Sequence, residues 1–231
     1  MSADQIGGQL AIEELRRDVI GEGAAFATPF GVRRLTYADY IASGRPLRSV
    51  EATLERSVLP LYANTHTEDS ATGARTTALA DSARDYVKRC LGGEETHKLF
   101  FAGTGATGAV KRFQEVLGVS VAPELRQLVL DGLPAARRWV VFVGPYEHHS
   151  NEVSWRESLA EVVSIPLAAD GTLDLAALLA ALEDPRYLGR PRVGSFSAAS
   201  NVTGLITDVR AVATLLHEHD AIAAFDFAAS A

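Results

Sequence analysis

Short apolar runs alternate with stretches of helical period through the second half of this chain. VVFV (140–143), set between Trp139 and Gly144-Pro145, has the length and β-branched content of a strand buried on both faces. EVVSIPL (161–167), RVGSFSA (192–198) and AIAAF (221–225) read the same way, as does KLFFA (98–102) upstream. Between them, apolar residues recur at three and four positions over Ala109–Leu117, over Leu175–Leu182 opened by Asp174, and over Val209–His219 with Asp208 as a candidate cap. Residues 155–161 read as a short helix, and the stretch after Leu117 to about Gly132 as helical and partly apolar. Strands separated by helices predict an α/β fold, a mostly parallel sheet flanked by helices.

The first hundred residues are less regular. Leu10, Ile12, Leu15 and Val19 form the apolar stripe of a helix over 9–20, which Gly21 and Gly23 end. LTYADYI (35–41) predicts a short strand or extended segment, and SGRP (43–46) a turn; a helix is expected over 47–59. YANTHTEDSATG (62–73) reads as a long polar loop, and its lone His66 has no repeated ligand spacing to suggest a metal. A helix over 76–91 places Cys90 on its apolar side, as a small buried hydrophobe. The expected organisation is an N-terminal helical arm, residues 1–34, and one α/β domain, residues 35–231.

Composition removes several function classes. A net charge of −7 gives no electrostatic reason to expect nucleic acid or an anionic membrane as partner. No apolar stretch is long enough to span a bilayer, and the N-terminus has no basic region followed by an apolar one. The single cysteine excludes an internal disulfide and fits a cytoplasmic chain.

The candidate chemistry lies at predicted strand ends. GTGATG (103–108) is a Gly-rich turn between a strand and a helix, with backbone N–H groups, two threonine hydroxyls and a helix N-terminus, the parts of a phosphate site. It lacks the GK[ST] of a Walker A loop and the later acidic residue of a dinucleotide fingerprint, so a tight turn of small residues is the other reading. EHHSN (147–151) follows VVFV, SNVTG (200–204) follows RVGSFSA, and Asp226 follows AIAAF. In an open parallel sheet these loops share the edge where ligands bind. His148 and His149 can stack on a flat cofactor, move a proton, or sit in a surface loop. Asp226 either caps a turn or holds a charge for use, since a carboxylate ending a buried run is otherwise costly.

These segments carry a resemblance. YADYIASGRPL, FFAGTGATGAV, VVFVGPYEHHSNEVSW, SIPLAADGTLDL, SAASNVTGLITDV and AIAAFDFAASA occur in the order and spacing of class V aminotransferase-fold enzymes that use pyridoxal 5'-phosphate. The chain looks most like the N-terminal part of a cysteine desulfurase or selenocysteine lyase, and the resemblance runs from about Arg34 onward. It implies a truncated fold-type I large domain, an amino-acid substrate and a homodimer. It also implies roles: Ala106 and Thr107 at the cofactor phosphate, His148 stacked on the ring, Asn201 at the phenolic oxygen, and Asp226 paired with the pyridine nitrogen. The chain departs from the pattern at Gly108, where many members carry Glu, and at Ala229, where Gln is common. The family's Schiff-base lysine lies beyond the Asp strand, and none of Lys88, Lys98 or Lys111 matches its context. The resemblance therefore implies a domain incomplete at its C-terminal end, with no catalytic residue of its own and inactive alone. A class V aminotransferase, an epimerase, a kynureninase-like lyase, and a non-catalytic remnant or subunit fragment remain open.

Overall fold

The computed structural model describes residues 3–230, with side chains from Ala11 onward; Leu10, first of the expected N-terminal stripe, has its side chain outside that description. The chain divides into two compact units, one ending at Phe100 and one beginning at Phe101.

The first unit contains α1 (Ala3–Asp18), the antiparallel hairpin β1 (Ala25–Thr28) and β2 (Gly31–Arg34), α2 (Arg48–Thr53) and α3 (Ala71–Cys90). α2 continues through a wide turn over Leu54–Val58 and a tight one over Leu59–Leu61, so the expected helix is present but irregular. Of the two forms expected at 35–41, strand or extended segment, the strand is absent: these residues pair with no other strand. The hairpin lies earlier, where Thr28 Oγ1 donates to Gly31 O and accepts from Phe30 N across its turn. Residues 37–43 instead fold on themselves, the Tyr37 hydroxyl meeting the carbonyls of Asp39 and Ser43. α3 starts inside the stretch expected to be loop, because Ser70 Oγ caps it by accepting from Gly73 N. Cys90 closes α3 and is exposed, against the expectation of a buried residue.

The second unit is an α/β layer structure. Its sheet has four parallel strands, β3 (Val140–Val143), β4 (Glu161–Ser164), β5 (Arg192–Ser197) and β6 (Ile222–Asp226), in the order β4-β3-β5-β6. The helices are α4 (Gly105–Val116), α5 (Arg126–Gly132), α6 (His149–Arg156), α7 (Leu175–Leu182) and α8 (Val209–Glu218). Alternation along the strands builds a core on each face. Val140, Phe142 and Phe196 pack with Leu178 and Leu182 of α7 and Leu216 of α8. Val141, Val143 and Val193 pack on the other face with Trp155 of α6 and, more peripherally, Phe113 of α4. Gly194 lets α8 approach: a Cβ there would lie 2.5 Å from Leu216 Cδ1. Asp174 and Asp208 cap α7 and α8, each accepting a backbone N–H three residues on.

Two expectations fail here. KLFFA carries no strand pairing, and Phe100 and Phe101 are 80% and 65% exposed; apolar content alone does not make a strand without a neighbour to complete its ladder. The helix expected over 155–161 lies instead at 149–156, for a reason visible in its cap. Among the described residues, no helix is long and apolar enough to cross a membrane.

Candidate cofactor site

From β3 the chain leaves through α6 on one face of the sheet; β4 and β5 are joined by α7, and β5 and β6 by α8, on the other. The strand order therefore reverses between β3 and β5, and the loops leaving their C-terminal ends diverge to open a crevice. The turn bearing His148 forms one wall and the hairpin bearing Asn201 the other.

His148 is the N-cap of α6. Its Nδ1 accepts from Ser150 N at 3.2 Å and lies 2.7 Å from Ser150 Oγ. A backbone N–H can only donate, so Nδ1 is unprotonated and the neutral ring carries its proton on Nε2. Histidine is outside the usual set of capping residues, which is why the helix start was not legible. His148 is exposed, its ring 6.2 Å from that of His149.

Behind this turn lies a buried polar network that the sequence did not single out. Glu147 Oε1 accepts from Ser197 N at 2.9 Å and from Gly144 N at 3.2 Å. Its Oε2 accepts from Ser197 Oγ and from Asn151 Nδ2, both at 2.7 Å. Burial pushes the Glu147 carboxyl above its ordinary range, and these four bonds offset only part of that. Asn151 continues the network: its Oδ1 accepts from Trp155 Nε1 at 3.0 Å and from Ser195 Oγ at 2.6 Å. Glu147, Asn151 and Trp155 follow an i, i+4, i+8 spacing, a helix-face signal hidden because two of the three are polar.

Asp226 ends β6 in register with Ser197. Registered neighbours project from the same face of a sheet, so the Asp226 carboxylate lies on the α6 side, as Glu147 and Ser197 do. Its Oδ1 accepts from Ala228 N at 2.9 Å, closing the turn that holds Ala229. Among the described residues, Oδ2 has no hydrogen bond. Asn201 is exposed at the tip of a hairpin closed by the Ala199–Ile206 bridge, which Ser200 Oγ supports by accepting from Val202 N and Thr203 N. The two walls are joined directly: Thr207 Oγ1 donates to Ser197 O at 2.7 Å, so the Tyr146 hydroxyl, 3.0 Å away, donates to Thr207.

α4 runs alongside α6 in the same direction. Gln114 Nε2 donates to Ser154 Oγ, Phe113 meets Trp155 edge-on, and Val119 just beyond α4 accepts from Leu159 N just beyond α6. The start of α4 therefore shares the His148 edge. It begins at Gly105, the third residue of GTGATG and earlier than the expected Ala109, with Thr104 and Gly105 both left-handed, at φ 55° and 63°. Ala106 and Thr107 thus lie in the first helical turn, where their N–H groups have no intrahelical acceptor. α6, α7 and α8 are each capped by a side chain; α4 is not. Gly108 completes a cradle: a Cβ there would sit 1.6 Å from Gly103 O, so no larger residue fits this turn as it stands. Uncapped donors over a backbone cradle suit a phosphate.

A model of the aminotransferase class-V family matches residues 36–231. The chain belongs to this family. Among class-V relatives, a probable cysteine desulfurase of Halalkalibacterium halodurans is 26% identical over 85% of this chain and 45% of its own length. A cysteine desulfurase of Pectobacterium atrosepticum is 26% identical over 95% of this chain and 49% of its own. The chain spans about half the length of these curated relatives. The apo structure of a cysteine desulfurase from Thermococcus onnurineus shares the fold, with a TM-score of 0.68 at 18% identity over 93% of this chain and 46% of that one. The Escherichia coli cysteine desulfurase CsdA gives a TM-score of 0.56 at 26% identity, covering 83% of this chain and 44% of its own. Class-V enzymes depend on pyridoxal 5'-phosphate, and the α4 cradle fits its phosphate.

Proposed function

We propose that the second unit is the pyridoxal 5'-phosphate-binding face of an enzyme acting on an amino acid, most like a cysteine desulfurase. The observation that carries this reading is the convergence of the uncapped α4 N-terminus, His148, Asn201 and Asp226 on one edge of the sheet at its switch point. When bound, the cofactor supplies an electron sink for charge developing at the substrate Cα.

The chain's own groups divide the work of holding it. The N–H groups of Ala106 and Thr107 donate to the phosphate, helped by the positive end of α4. His148 offers one face of a neutral imidazole to the ring and keeps it from tumbling. Asp226 keeps Oδ1 on its turn and uses Oδ2 to accept from a protonated ring nitrogen, a charge-assisted bond that holds the proton there. The Asn201 amide donates to the phenolic oxygen. None of Lys88, Lys98 and Lys111 stands in the family's lysine context, so residues 1–231 hold the cofactor without a covalent bond. A second copy of the chain is the partner this reading implies; apolar side chains such as Phe30 and Tyr62 of the first unit, 81% and 65% exposed, offer it surface.

The test is equilibrium dialysis of the chain with pyridoxal 5'-phosphate and with pyridoxal, which lacks the phosphate. We expect the phosphate form to bind at least about tenfold more tightly, and borohydride reduction to label no single lysine stoichiometrically. Equal binding of the two, or one lysine fully labelled, overturns the reading.

A further inference from the structure

We propose that Glu147 is a positioning residue that sets the placement and tautomer of His148 by tying its turn to β5. Three elements meet at the Glu147 carboxylate: Gly144 at the end of β3, Ser197 at the end of β5, and Asn151 in the first turn of α6. His148 lies between two of these anchors. The bond from Asn151 Nδ2 to Glu147 Oε2 closes a ring around residues 147–151, and within it Ser150 N and Oγ engage His148 Nδ1. His148 is exposed, so packing does not fix its ring; the closed turn does.

The residue type is selective. Four donors point at two oxygens, the pattern an ionised carboxylate satisfies. A neutral amide of the same size has one acceptor oxygen, and its NH₂ would face Asn151 Nδ2, donor against donor. If tying β3 to β5 were the sole purpose, a neutral side chain would serve without the cost of a buried charge. Ser197 also links the arrangement to the opposite wall, because it is the register partner of Asp226. Glu147 thereby places His148 and Asp226 against one common residue.

The role toward the cofactor rests on the function proposed above; the role toward His148 does not, and the experiment separates them. Nitrogen-15 NMR of histidine-labelled chain reports the tautomer of His148, assigned by its loss in His148→Gln. The parent should show an unprotonated Nδ1 and a protonated Nε2. In Glu147→Gln both nitrogens should move toward the averaged values of a free imidazole, with His149 unchanged, and the Kd for pyridoxal 5'-phosphate should rise about tenfold. Unchanged His148 signals in a folded Glu147→Gln chain overturn the proposal. If that variant does not fold, Ser197→Ala removes one of the four bonds and carries the same test: a smaller movement of the same signals supports the proposal, and none overturns it. If the His148 signals move but neither chain binds the cofactor, the positioning role stands and the proposed function falls.

Discussion

Replacing Asn151 with alanine deletes four hydrogen bonds from a site sealed from water. Asn151 is 1% exposed. Its Nδ2 donates to Glu147 Oε2 at 2.7 Å and to Ser195 O at 3.2 Å, and its Oδ1 accepts from Trp155 Nε1 and Ser195 Oγ. After substitution Trp155 keeps its bond to Ser195 Oγ, and Glu147 Oε2 keeps Ser197 Oγ. What is lost is one bond to a buried charge, worth about 1.5–3 kcal/mol, and the acceptor of Ser195 Oγ, whose stranding costs a further 1–3 kcal/mol or so. A total of about 2.5–6 kcal/mol places Asn151→Ala toward the severe end of single substitutions. For a chain of this size that corresponds to a fall in Tm of roughly 5–25 °C. Urea and thermal melts followed by tryptophan fluorescence measure it, with near-UV circular dichroism reporting the Trp155 environment. A loss below about 1 kcal/mol would refute the view that this network holds α6 to β5.

Three further outcomes follow from the site. Gly108→Ala places a Cβ 1.6 Å from Gly103 O, so the turn before α4 must shift; we expect a loss of about 1–3 kcal/mol in a melt together with weaker cofactor binding by dialysis, and parent-like values of both count against the cradle. Asp226→Asn retains an oxygen for Ala228 N, so stability should change by less than about 0.5 kcal/mol, while cofactor affinity falls about tenfold or more; unchanged affinity would leave Asp226 as a turn cap alone. Glu147 has its pKa raised by burial, so the folded chain binds that proton more tightly than the unfolded chain does. The associated stabilisation is complete below the unfolded value and is lost as pH rises through the folded one. The urea midpoint of the parent relative to Glu147→Gln should therefore fall as pH is raised from 4.5, and a flat difference contradicts this.

The sheet was legible because VVFV and AIAAF are unbroken apolar runs; VVFV is buried throughout as expected, whereas β6, at the edge of the sheet, is only half-buried and Ile222 is exposed. α7 and α8 were legible because an aspartate opens each. Elements fixed by other forces were not. α6 is capped by a histidine and turns a polar Asn151 inward, so neither its start nor its face obeys the usual pattern. KLFFA has strand composition, but pairing decides strands and composition does not report pairing. The hairpin at 25–34 is held by a threonine across a proline turn, on strands too short for their periodicity to register. At the site, His148, Asn201 and Asp226 were visible as polar residues following strands. Glu147, visible within EHHSN, and Tyr146 were given no role, because their importance lies in partners about 50 and 60 residues away, Ser197 and Thr207.

The chain from Tyr146 through Thr207 to the carbonyl of Ser197 makes the two sides of the crevice one mechanical part. A replacement that reshapes the histidine turn drags the asparagine hairpin with it, and the reverse holds. The shape of this crevice therefore cannot be tuned by exchanging one loop at a time. Grafts from relatives must carry residues 144–151 and 198–208 together, and paired changes at 146 and 207 should be tolerated where either alone is not.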